Sequence, residues 1–90
     1  SISNKIRAKI ILTETEVKIL KVLMEDIGKP LSKGTLLDRV WGLKGTVKTH
    51  TLETHVYRLR KKLNSEFGQN FNIKSYPGGY SVSVNQGSFE

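Results

Sequence analysis

The chain has no cysteine. That removes disulfides, thiolate zinc sites and thiol catalysis from consideration, and it fits a reducing compartment. Acid is scarce as well. Eight Asp and Glu stand against fifteen Lys and Arg, giving a net charge of +7 and a pI near 9.9. No apolar run approaches the roughly 18 residues that a membrane-spanning helix needs, and no signal peptide is visible. The groupings that make an enzyme are missing too: no nucleophile with its base, no carboxylate pair on one face and no cofactor loop. His50 and His55 are five residues apart, which turns them about 140° from one another on a helix, whereas a helical zinc pair needs i and i+4. The expectation is a protein without enzymatic chemistry, cofactor or metal.

What is present fits one small domain. Ninety residues with a hydrophobic share of 37% supply one core, and a chain of this size buries roughly 60–65% of its unfolded surface. No repeat, low-complexity tract or internal boundary divides residues 1–90, so the chain reads as a single domain with its core over about 12–84. A pI above about 9 points to a nucleic-acid partner. The placement of the charge says more than its total: between residues 44 and 63, Lys44, Lys48, Arg58, Arg60, Lys61 and Lys62 face a single acid, Glu53.

Local signals divide the chain into elements. The β-branched, apolar run ending in Ile10-Ile11-Leu12 predicts a strand over 7–12. Thr13-Glu14-Thr15-Glu16 is a capping box, and it opens a helix over about 14–26 whose apolar stripe is Val17, Leu20, Leu23, Met24 and Ile27. Gly28 and Pro30 stop it. Ser32 caps a second helix over about 33–41, with Leu36, Leu37, Val40 and Trp41 on its apolar face. Residues 42–48, with two glycines and two lysines, predict an exposed loop. Thr49 then caps a third helix over about 50–64, and Leu52, Val56, Leu59 and Leu63 line its buried face. The opposite face carries His50, Thr54, Tyr57, Arg58 and Lys61. Arg60 and Glu53 flank one side of the apolar stripe, where they can pair with each other; His55 and Lys62 flank the other. A polar loop near 64–70 leads to a hairpin. Phe71 and Ile73 alternate with polar residues, Pro77-Gly78-Gly79 makes the turn, and Tyr80, Val82 and Val84 bury one face of the last strand.

The order is strand, three helices, hairpin. This is an α+β winged helix-turn-helix: a three-helix bundle with a C-terminal β-hairpin wing and a short N-terminal strand. A major groove about 12 Å wide admits one helix, and the amphipathic, basic third helix suits it, with the wing lying alongside.

The residues also resemble the effector domain of the OmpR/PhoB family of bacterial response regulators, over about 12–84. The similarity runs through Leu12-Thr13-x-x-Glu16-x-x-Ile19-Leu20, then Leu36-Leu37-x-x-Val40-Trp41-Gly42. It continues through Thr51-Leu52-Glu53-Thr54-His55-Val56-Tyr57-Arg58-Leu59-Arg60-Lys61 and closes on Gly79-Tyr80. The resemblance implies a bacterial, cytoplasmic transcription regulator whose third helix reads double-stranded DNA. It implies that Arg58, Arg60 and Lys61 contact phosphates and bases, that Thr51 and His55 hold phosphates, and that Trp41 packs inside while touching the DNA backbone. The loop carrying Leu43, Lys44 and Lys48 would meet RNA polymerase. Isolated domains would be monomers that pair head to tail on direct repeats, driven by an attached receiver domain. His50, Thr54, Tyr57 and Lys62 complete the expected DNA face, with Lys62 weakening all sequences alike when lost. Lys74, Tyr76, Gly78 and Gly79 form the wing.

Departures from the family pattern carry their own expectations. No receiver domain is present in this chain. The family's four-stranded N-terminal sheet is missing or cut off ahead of Leu12. The wing lacks the arginine that often reaches the minor groove, leaving Lys74 or Tyr76 for a backbone contact. Tyr57 stands where an arginine is frequent, and its ring is able to meet a thymine methyl. The alternative function is a winged-helix protein–protein module whose basic face docks an acidic partner. Single-stranded nucleic acid is less suited, because it wants aromatics exposed on a sheet.

Overall fold

The computed structural model describes residues 10–42 and 47–84. Its elements are α1 (Glu14–Glu25), β1 (Leu31–Ser32), α2 (Lys33–Trp41), α3 (Thr49–Phe67), β2 (Phe71–Tyr76) and β3 (Gly79–Val84).

The capping box at the start of α1 forms as the sequence predicts. The Glu16 amide donates to Thr13 Oγ1 at 3.1 Å, and the Thr13 amide donates to Glu16 Oε1 at 2.9 Å. Two backbone donors that the helix cannot satisfy are thereby paired. Thr13→Ala leaves the Glu16 amide without its acceptor and is expected to cost about 1 kcal/mol, read as a lower urea midpoint with an unchanged slope.

The buried stripe of α1 differs from the one its spacing suggested. Glu16, Ile19 and Leu23 face the core, while Met24 and Ile27 are 43% and 51% exposed. Apolar side chains occur on every side of this helix, so its own periodicity leaves the angle open. The neighbours set that angle, and they select Ile19 and Leu23.

Ser32 caps α2 by accepting from the Thr35 amide at 3.0 Å, and the helix ends at Trp41 as expected. The third helix is longer than its polar end suggested. It begins at Thr49, with Lys48 as N-cap and no side-chain capping bond, so Thr49 is not the cap. It runs past Asn64 and Ser65 to Phe67, where Gly68 at φ +62° ends it. The extra turn brings the Phe67 ring edge-on to Phe71 at 5.5 Å, a contact that offsets its polar composition.

The hairpin turns on Pro77-Gly78. Gly78 has φ +84°, the left-handed value that the third position of a type II turn requires after proline. β2 and β3 pair antiparallel from Phe71–Val84 to Tyr76–Gly79. A third strand, β1, adds to the other side of β3 through Leu31–Tyr80 and Ser32–Gly79, so the sheet order is β1-β3-β2. β3 is therefore central, and Gly79, Tyr80, Ser81 and Val82 are all buried rather than alternating.

Residues 7–9 of the expected N-terminal strand lie outside the described residues, and Ile10–Leu12 are not a strand. No sheet edge takes them up among the described residues. The Ile11 carbonyl instead accepts from Lys62 Nζ at 2.9 Å, and Ile10 and Leu12 lean on the core.

That core joins all the helices to the hairpin: Ile19 and Leu23 from α1, Leu36 and Val40 from α2, the predicted Leu52, Val56, Leu59 and Leu63 from α3, and Ile73, Tyr80 and Val82. Two further bonds tie the turn after α1 and the start of α2 to the wing. The Gly28 amide donates to the Val82 carbonyl at 3.0 Å, and the Lys33 amide to the Gly78 carbonyl at 2.9 Å.

Candidate nucleic-acid interface

Four buried residues fix how α3 faces the rest of the domain. Leu52, Val56, Leu59 and Leu63 are all within 1% of complete burial. At about 100° per residue, the face turned away from them carries His50, Thr54, Tyr57, Arg58 and Lys61. His50, Tyr57, Arg58 and Lys61 are exposed and Thr54 is half-buried. Thr54 spends its hydroxyl on its own helix, donating to the His50 carbonyl at 3.0 Å. Lys61 places its ammonium 5.5 Å from the centroid of the Tyr57 ring. Among the described residues the ion pairs are Lys33–Glu53, Arg39–Glu25 and Lys62–Glu16, so Arg58, Arg60 and Lys61 have no acidic partner there.

The two flanks of α3 are held differently. On the side of α1 and α2, His55 is half-buried with its ring 5.8 Å from Trp41. Trp41 is itself half-buried, between core and surface, and Thr51 lies half-buried on the same flank. Lys62, expected among the phosphate contacts, is turned inward. Its ammonium donates to Glu16 Oε1 at 2.7 Å as well as to the Ile11 carbonyl. Burial pushes the Glu16 carboxyl up, but the Lys62 ammonium and the Thr13 donors outweigh it and hold the group below the usual glutamate value. A carboxylate only 1% exposed needs that partner, so the position of Lys62 follows from the charge it neutralises.

On the hairpin side Arg60 is exposed. Glu53 is not its partner: Lys33, at the first turn of α2, takes Glu53 Oε2 at 2.7 Å and lies 5.7 Å from the centroid of the Tyr80 ring. The hydrogen bond from Lys33 lowers the Glu53 carboxyl, and the same bond raises Lys33. Sequence reasoning missed Lys33. Its partner is 20 residues away, and no periodicity links the two.

In the wing, Lys74 and Tyr76 are exposed on β2 and Gly78 sits in the open turn. Gly79 is not on the outer surface. It is buried beneath β1, where a Cβ would overlap the Leu31 carbonyl. Lys48 is exposed ahead of α3, while Leu43 and Lys44, the rest of the expected polymerase-facing loop, lie outside the described residues. Among the described residues there is no group of three His, Cys, Asp or Glu able to hold a metal, and no helix is long and apolar enough to cross a membrane.

Helices α2 and α3 in succession, with a β-hairpin beside the second of them, define a winged helix-turn-helix domain. The chain belongs to the family described as "Transcriptional regulatory protein, C terminal", whose model matches residues 7–82. It is 43% identical over 51 residues to the sensory transduction protein RegX3 of Mycobacterium leprae, covering 57% of this chain and 26% of that protein. It is 45% identical over 53 residues to the phosphate regulon transcriptional regulatory protein PhoB of Rhizobium meliloti, covering 59% of this chain and 23% of that protein. The chain thus spans about a quarter of the length of these curated relatives. The DNA-binding domain of the response regulator AdeR, solved in complex with an intercistronic region, matches with a TM-score of 0.68 and 28% identity over 82% of this chain and 74% of that one. The OmpR/PhoB-type effector resemblance read from the motifs holds, and this family is one of transcription regulators rather than an enzyme class.

Proposed function

We propose that this domain binds double-stranded DNA sequence-specifically as the output domain of a bacterial two-component transcription regulator, with α3 in the major groove and the hairpin over the adjacent backbone. The observation that carries this reading is the outward face of α3: exposed cations without acidic partners among the described residues, opposite a four-residue core stripe, in a winged helix of this family. Arg58, Tyr57, His50 and Thr54 face base edges. Lys61, Arg60, Lys48, Thr51, His55 and Lys74 serve phosphates, with Trp41 and Tyr76 beside the backbone. Lys62 is left out of this set because Glu16 holds it. The domain is a single unit that pairs head to tail on direct repeats, works in the bacterial cytoplasm under an attached receiver, and meets RNA polymerase through the loop of Leu43, Lys44 and Lys48.

Selection of duplexes from a random pool at near-physiological salt tests the reading. A direct repeat with centres about 10–11 bp apart is the expected product. With about five phosphates neutralised per domain, log affinity falls against log salt with a slope of roughly −4 to −5. Arg58→Ala is expected to cost about 1–3 kcal/mol in binding and to relax the selected sequence. An unchanged selection profile for that variant would remove Arg58 from base reading. Retention of an acidic protein with no duplex retained would favour the protein–protein module instead.

A further inference from the structure

The outward face of α3 carries one side chain that nothing in the fold explains. The Tyr57 ring is 61% exposed and points away from the core stripe. Lys61, one turn on, sits against it at 5.5 Å from the centroid, a cation–π contact that steadies the ring while leaving most of it open. Two surface hollows meet at this point. One is lined by Tyr57, Lys61, Asn64 and Asn72, the other by Lys33, Glu53, Tyr57 and Ser75, and Arg60 lies in both. Tyr57 and Arg60 therefore form the ridge between them, on the side of α3 that faces the hairpin.

Val56 and Tyr80 reach the floor of the second hollow, but the neighbours of Tyr57 on the outward face and hairpin flank of α3 are polar or cationic: His50, Thr54, Arg58, Arg60 and Lys61. Those groups suit phosphates and the acceptor atoms of purine edges. The Tyr57 hydroxyl also suits them, but the face of its aromatic ring does not. The one apolar group that base pairs present in the major groove is the C5-methyl of thymine. We infer that Tyr57 is a specificity-determining residue, its ring packing on a thymine methyl and selecting thymine at one position of each half-site. Lys61 is a positioning residue for it, holding the ring against rotation. This inference rests on the DNA-binding reading above and adds the base that one side chain reads.

Replacing thymine by uracil removes the methyl and leaves every hydrogen-bonding group in place. The experiment takes the ninety-residue domain and the duplex it enriches from the random pool, replaces each thymine singly by uracil, and measures affinity by fluorescence anisotropy. For the native sequence, one position per half-site is expected to lose roughly fourfold, the effect of burying one methyl-sized group. Tyr57→Phe keeps that discrimination, because the ring is retained. Tyr57→Ala binds the thymine and uracil duplexes equally at that position, and its salt slope is unchanged because no phosphate contact is lost. A flat uracil scan overturns the inference, as does a uracil effect that persists in Tyr57→Ala or vanishes in Tyr57→Phe. If a motif is enriched but blind to uracil, only this inference falls; if no motif is enriched at all, the DNA reading falls and takes the inference with it.

Discussion

Gly79→Ala is expected to destabilise the domain by about 3 kcal/mol, the upper part of the range for overpacking a site that cannot relax. In a domain of this size that lowers the melting temperature by roughly 15 °C, which circular dichroism measures directly. The reason is backbone against backbone. A Cβ at residue 79 would overlap the Leu31 carbonyl and stand 3.2 Å from Ser32 Cα, and no rotamer relieves a clash with main chain. β1 would have to withdraw from β3, losing the Leu31–Tyr80 and Ser32–Gly79 pairing and straining the bond from the Lys33 amide to the Gly78 carbonyl. Gly78 is the internal control. A Cβ there meets nothing within 4 Å, but its φ of +84° disfavours a side chain, so Gly78→Ala is expected to cost only about 1 kcal/mol. Equal losses at the two glycines would argue against the close crossing of β1.

The second large effect is expected at Lys62. Lys62→Met keeps the aliphatic stem and removes the ammonium that neutralises Glu16. Breaking a fully buried pair from one side costs about 3–5 kcal/mol; the Lys62 side chain is 32% exposed, so about 2 kcal/mol is expected after solvent screening. The pH dependence identifies the cause. In the native sequence the Glu16 pKa is depressed on folding. Its contribution is therefore complete above the unfolded glutamate value of about 4.3 and is lost as pH falls through the lower, folded value. Burial is already the largest single influence on Glu16; without Lys62 only the Thr13 bonds oppose it, and the folded pKa moves upward. The variant should then lose less stability than the native sequence on acidification, and the gap between the two should narrow below about pH 4. Denaturant melts at several pH values measure this. A gap that stays constant with pH would mean that Lys62 acts through packing alone. The DNA selection profile of the folded variant should match that of the native sequence, since Lys62 is held by α1 and not by the outward face.

Local chemistry was legible in the chain wherever a short signal sets a boundary. Ser32 and the Trp41-Gly42 step delimit α2, Thr13 and Glu16 open α1, and Pro77-Gly78 fixes the hairpin register. The core face of α3 was legible because Leu52, Val56, Leu59 and Leu63 repeat with the helix and their neighbours do not compete. On α1 they do compete: Val17, Ile19, Leu20, Val22, Leu23 and Met24 leave the buried angle to the neighbouring helices, and the spacing wrongly favoured Met24 and Ile27. The outward face of α3 follows from its core face, so Tyr57, Arg58 and Lys61 came with it. The features that escaped are non-local. β1 has two residues, too few for any alternation, and exists because β3 offers it an edge. The Lys33–Glu53 and Lys62–Glu16 pairs join residues 20 and 46 apart, so only the folded chain brings them together. Glu16 read as a capping residue, which it is, without any sign that the same carboxylate would be buried and need a cation from α3.

Those two pairs grip α3 on opposite flanks, nine positions apart along the helix. A cylinder held at both sides cannot roll about its long axis without breaking one link. The phase at which Tyr57, Arg58 and Lys61 face outward is therefore set during folding, and the helix itself has no rotation left to lose when a duplex arrives. In the proposed complex, mismatch between the helix and a poor site is expected to fall on side-chain rotamers and on bending and twisting of the DNA, whose stiffness depends on base step. Base steps that no side chain touches are then expected to enter the choice of site, through the rigidity of the helix that passes over them.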